Sequence, residues 1–163
     1  MIKAAILTVS DKGSRGERED VSGEAIREMI AELPAEVIAC EVIPDEKPLI
    51  ISRLIYFSDG LKAGVIITTG GTGVSPRDVT PEATAEVIER PLPGMAEAMR
   101  AASMKNTPHA MLSRAVCGVR GRTLIINLPG SPRAVRENLA VVLPAIPHAV
   151  EKIQGGEAEC GQP

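Results

Sequence analysis

Apolar positions along this chain follow two rhythms. Over residues 3–10 and 65–69 they run almost unbroken, the pattern of a strand buried on both faces of a parallel sheet. Over 23–33 they recur at helical spacing as Ala25, Ile26, Met29, Ile30 and Leu33, with Asp20 or Ser22 as the expected N-cap. The alternation continues with a strand over 37–43 and a helix over 47–58. A strand over 65–69 and helices over 81–90 and 95–105 follow. Two strands over 116–119 and 123–127 flank the turn Arg120-Gly121-Arg122. A last helix opens at Pro132, is interrupted by Pro144 and ends near Gln154. Residues 11–20 read as loop, and the glycine-rich tail from 155 is expected to fray. Strands alternating with helices predict an α/β fold, one domain over 1–163, with a mostly parallel sheet and helices on both faces.

In such sheets ligands sit at the carboxyl ends of the strands. Four predicted strands end in loops with polar or glycine-rich chemistry: Ser10-Asp11, Pro44-Asp45, Gly70 to Asp78, and Leu128 to Ser131. The third is the richest. Gly70, Gly71, Thr72 and Gly73 directly follow a buried strand, so the backbone can turn tightly and offer its N–H groups to an anion. A plain strand-to-helix connection explains the glycines equally well. No GK[ST] or GxGxxG pattern accompanies them. Asp78 precedes the cap-plus-proline pair Thr80-Pro81, and it reads either as a site carboxylate, as a helix N-terminal acid or as a partner for Arg77. Asp45 reads either as a site carboxylate or as an N-cap. Two acids beside an anion-binding turn suit a divalent cation, which offsets their repulsion of phosphate. Ser131-Pro132 is a second cap-plus-proline pair, and Ser113-Arg114 precedes a strand. His109 and His148 lie away from any Cys or second His at ligand spacing, and no Ser–His–Asp or Cys–His nucleophile can be assembled.

Composition narrows the function further. The 163 residues include one Phe, one Tyr and no Trp, so the core must be aliphatic, and the composition argues against a base-stacking platform. Eighteen basic residues against 21 acidic ones give a net charge of −3, and no basic run offers a nucleic-acid footprint. No stretch approaches a membrane span. The three cysteines, Cys40, Cys117 and Cys160, are widely spaced, which points to a reducing, cytoplasmic setting.

The motifs TVSD at 8–11, SG at 22–23, IPDE at 43–46, TTGGTG at 68–73 and PRDVTPEAT at 76–84 occur in order. PG at 93–94, LSR at 112–114 and NLPGSP at 127–132 complete the series. Together they resemble the Mog family of molybdopterin adenylyltransferases, relatives of the gephyrin G domain, over about residues 3–154. The resemblance implies a three-layer α/β/α sandwich that assembles as a homotrimer. It implies transfer of the adenylyl group of ATP to molybdopterin with Mg²⁺, and transient contact with a MoeA-type molybdenum insertase. By motif, Asp45 and Asp78 match the two essential acids and jointly the Mg²⁺ site. Gly70, Gly71, Thr72, Gly73, Ser113, Pro129, Gly130 and Ser131 match the pterin side. Ser10, Asp11 and Asp20 match loops near the site, and Thr80 and Pro81 stand with them as substrate contacts. MoaB-like relatives share the fold, and some lack the acids and bind without catalysing; this chain keeps both acids. A domain of nicotinamide-nucleotide-processing proteins carries a similar glycine turn, but is expected beside a second domain.

Overall fold

The structure, a computed structural model, describes residues 1–157. In chain order its elements are β1 (Ile2–Val9), α1 (Asp11–Ser14), α2 (Val21–Ile30), β2 (Ala35–Ile43), α3 (Lys47–Ile55) and β3 (Val65–Thr69). These are followed by α4 (Thr80–Val87), β4 (Arg90–Pro91), α5 (Pro93–Met104), β5 (Cys117–Arg120), β6 (Thr123–Leu128), α6 (Pro132–Val142) and α7 (Ile146–Ile153). The strands form one sheet in the order β2-β1-β3-β6-β5-β4. The first four of these run parallel, and β5 and β4 join antiparallel at one edge.

The period of two along the central strands divides the core. Ala4 and Ile6 of β1, Val65 and Ile67 of β3 and Leu124 and Ile126 of β6 pack on one face against α2, α5, α6 and α7. Their neighbours Ala5, Leu7, Ile66 and Ile125 pack on the other face against Ile50, Leu54 and Phe57 and against Ala83 and Val87 of α4. Both faces are covered, which is why these strands read as unbroken apolar runs. The fold is the three-layer α/β/α sandwich.

The helix expected over 23–33 runs from Val21 to Ile30, and three further stretches differ more from the sequence reading. Residues 11–20 are not all loop: the Ser10 hydroxyl accepts from the Gly13 N–H at 3.0 Å and caps the single turn α1. The helix expected over 47–58 is α-helical only to Ile55 and widens into a π-turn over Tyr56–Gly60. The helix expected over 81–90 ends at Val87, because Arg90 and Pro91 pair with Val119 and Gly118 at the sheet edge. At the far end, the N–H groups of Gly155 and Gly156 bond back to Lys152 and Glu151, closing α7. The remainder of the tail, 158–163, lies outside the described residues.

Candidate functional site

Parallel strands β2, β1, β3 and β6 all end at the same edge, so the four polar loops meet there. The turn after β3 lies at their centre. Gly70 has φ +93, and a Cβ there would collide with the Val9 carbonyl oxygen. Gly71 has φ +68, and a Cβ there would collide with the Thr80 hydroxyl and lie 3.1 Å from Asp45 Oδ1. Only glycine can supply this backbone.

Two carboxylates lean on the turn. Asp78 Oδ2 lies 2.9 Å from where a Gly73 side chain would begin, and it accepts from the Ser75 N–H at 3.0 Å. Asp45 comes from the loop after β2. It does not cap α3, whose N-cap is Glu46 without a side-chain bond. Instead Asp45 and Asp11 clasp each other. The Asp11 N–H donates to Asp45 Oδ2 at 2.9 Å, and the Asp45 N–H donates to Asp11 Oδ1 at 3.0 Å. Burial pushes the Asp45 carboxyl above the usual carboxylate range; the Asp11 and Asp78 charges add to the rise, and the Asp11 N–H opposes it. Arg77 does not pair with Asp78. It forks onto Asp11, with Nε 3.0 Å from Oδ2 and Nη2 2.8 Å from Oδ1, and these bonds hold the Asp11 carboxyl below its usual range.

Thr80 is not the expected N-cap. The cap position falls on Val79, and Thr80 is the first residue of α4. Its N–H donates to the Gly71 carbonyl at 3.1 Å, and its hydroxyl is fully buried without a partner among the described residues. Asp45 and Asp78 place hard oxygen donors on either side of the glycine turn, of the kind that suits Mg²⁺, and the orphaned Thr80 oxygen lies behind Gly71. Among the described residues no three acids, histidines or cysteines gather into a metal cage. A cation here would therefore take its remaining oxygens from bound phosphates, the usual habit of Mg²⁺.

Several expected contacts also serve as struts. Asp20 caps α2 through the Gly23 N–H at 2.9 Å and accepts from the Thr8 hydroxyl. Ser131 caps α6 through the Ala134 N–H at 3.2 Å, and Pro81 is buried in the first turn of α4. Arg114 is committed to the protein itself rather than free for a phosphate. Its Nε donates to Gly73 O at 2.7 Å and its Nη2 to Asp78 O at 2.9 Å, while its Nη1 pairs with Glu82. It clamps the glycine loop, a role that no spacing in the sequence announces.

Two clefts open on this edge. The first, about 490 Å³, runs from Gly71, Thr72 and Gly73 past Ser113 to α6. The second, about 550 Å³, is lined by Ser10, Asp20, Asp45, Gly70 and Ser131. Gly71, Asp78 and Gly130 line both, and so form the ridge between them. Asp11, Thr80 and Pro81 line neither.

Known proteins share this architecture. The family model described as "Probable molybdopterin binding domain" matches residues 5–148. A molybdopterin adenylyltransferase of Helicobacter pylori is 46% identical over 157 residues, covering 94% of this chain and 89% of its own length. The gephyrin of Dictyostelium discoideum is 45% identical over 155 residues, covering 89% of this chain and 21% of its own. The crystal structure of the molybdopterin biosynthesis enzyme MoaB from Thermus thermophilus superposes with a TM-score of 0.90 at 54% identity, covering 95% of this chain and 98% of that one. The chain belongs to the molybdopterin-binding domain family of molybdenum cofactor biosynthesis.

Proposed function

We propose that this chain is a molybdopterin adenylyltransferase, joining molybdopterin to the adenylyl group of ATP and releasing pyrophosphate. The observation that carries the reading is the pair of clefts meeting at Asp78 and the glycine turn. Transfer between two substrates needs two seats whose reacting ends converge. The first cleft would take the pterin, with its terminal phosphate at the ridge. The second, walled by Asp45, would take the triphosphate.

A phosphate oxygen of molybdopterin attacks the α-phosphorus of ATP. The new P–O bond forms as the bond to the β-phosphate oxygen breaks, and pyrophosphate leaves with the electron pair. The nucleophile is already anionic, so no general base is required. Asp45 and Asp78 would hold Mg²⁺, with the Thr80 oxygen behind them; when bound, the ion neutralises charge that builds on the phosphates. The Gly71 and Gly73 backbone leaves room for phosphate oxygens close to the turn. The Asp11–Asp45 clasp fixes the first acid, and the Arg114 clamp fixes the loop bearing the second. Alignment and charge neutralisation are the catalytic means this site offers. In the cell a homotrimer handing its product to a MoeA-type insertase completes the reading.

Pyrophosphate release from ATP with molybdopterin and Mg²⁺ tests it. Release that needs all three components is expected. Tight molybdopterin binding with no pyrophosphate would instead favour a binding protein on the same fold.

A further inference from the structure

We propose that Glu137 on α6, joined by the amide oxygen of Asn138, reads the amino-pyrimidinone edge of the pterin. The inference rests on the reading of the first cleft as the pterin side. Ala134, Glu137 and Asn138 stand at i, i+3 and i+4 and share one helical face, and that face lines the first cleft. Ala134 adds only a methyl group to that face.

The face presents acceptors. Asn138 is 5% exposed, and its Nδ2 donates to Ser103 Oγ at 3.0 Å and to Ala134 O at 2.7 Å. Its nitrogen is thereby used, and its Oδ1 remains an acceptor. Glu137 Oε1 accepts from Arg133 Nε at 2.9 Å, and Oε2 has no such partner among the described residues. The Arg133 side chain is 82% exposed against 29% for Glu137, so this ion pair runs along the helix surface and adds little by itself. The cation of this cleft, Arg100, is already spent on the carbonyls of Ser113 and Ala115.

A pterin ring offers the complementary set. Its N3–H and exocyclic 2-amino group are adjacent donors with the spacing of a guanidinium fork, which a carboxylate accepts bidentately. With the terminal phosphate seated at the Asp78 ridge, the ring must extend away from the glycine turn. The α6 face lies along that same cleft. Glu137 is, besides Asp78, the carboxylate of the cleft.

The test compares two simple pteridines on the full chain, followed by their own fluorescence. Pterin carries the 2-amino group; lumazine replaces it with an oxo group, turning a donor into an acceptor. The wild type is expected to prefer pterin by about tenfold or more, the range of a charge-assisted hydrogen bond. Glu137→Gln, which keeps the shape but adds a donor, should lose that preference with an unchanged melting curve. Arg133→Gln, which frees the carboxylate, should retain it. A Glu137→Gln protein with the wild-type ratio overturns the assignment while leaving the pterin cleft standing. Loss of the preference in Arg133→Gln overturns it too, because the ion pair rather than the carboxylate would then be the reader. A wild type that binds neither pteridine overturns both this inference and the pterin reading of the cleft.

Discussion

The turns after β3 and β6 look alike in sequence and differ in how they are finished. Each follows a buried parallel strand, holds glycine, and enters a helix through a hydroxyl residue and a proline. After β6 the polar groups are closed. Ser131 caps α6, the Pro129 carbonyl accepts from Thr69 Oγ1 at 2.7 Å, and the Gly130 carbonyl accepts from Ser22 Oγ at 2.6 Å. After β3 they are left open: Thr80 buries a hydroxyl with no partner, two positive-φ glycines follow one another, and Asp45 is pushed toward its neutral form. An unmet buried hydroxyl costs about 1–3 kcal/mol, so the fold tolerates a loss at one turn that it avoids at its twin. On the proposed function, the difference separates a joint that serves stability from one that serves a ligand.

The contrast can be broken most forcefully at the acids. Asp78→Asn should cut pyrophosphate release by about a hundredfold or more, since it removes a carboxylate proposed to hold the Mg²⁺ that neutralises the reacting phosphates. Its melting temperature should stay near that of the wild type. Equal turnover in mutant and wild type would remove Asp78 from the chemistry.

Gly71→Val comes next. A β-branched side chain at φ +68 would drive into Thr80 and Asp45. Loss of pterin binding and about 1–3 kcal/mol of stability are expected, read by titration and by denaturant melts. Unchanged affinity would reduce the turn to a mere connection.

At the closed turn, Ser131→Ala should cost about 1 kcal/mol of stability through the lost cap. A denaturant midpoint equal to that of wild type would show that this turn is not finished in the way described.

The smallest effect concerns pH. The folded protein holds the Asp45 proton more tightly than the unfolded chain does, so this group withdraws stability as pH rises from its ordinary value through its raised one. Asp11 acts oppositely: its stabilisation is present above the ordinary value and is lost as pH falls through its lowered one. Asp45→Asn should therefore melt at or above the wild-type temperature near neutral pH. The melting difference between Asp45→Asn and the wild type should widen as pH rises through that raised value, and a difference that stays flat with pH would contradict this.

Much of the fold was legible because the central strands are covered on both faces, which leaves unbroken apolar runs at 3–10 and 65–69. The convergence of four loops followed from parallel topology, and Asp45 and Asp78 could be singled out on that ground. What stayed hidden depends on register between distant loops. Residues 77 and 11 are far apart in the chain, so nothing local distinguishes the Arg77–Asp11 pair from an Arg77–Asp78 one. The Arg114 clamp binds backbone carbonyls of a loop some forty positions away, and such acceptors leave no mark in sequence. Thr80 and Ser131 share one local pattern, and only packing of Gly71 over the first tells a buried hydroxyl from a working cap.

Thr80→Val bears on the central contrast most directly, because it removes the orphaned hydroxyl and keeps the shape. Its melting temperature and its Mg²⁺-dependent pyrophosphate release should be measured together. The expected result is a melting temperature equal to or above that of the wild type, with turnover reduced about tenfold or more, the weight of a lost hydrogen bond or ligand oxygen at a charged site. A lower melting temperature with full turnover would contradict it: the Thr80 hydroxyl would then serve the fold, and the two turns would be alike.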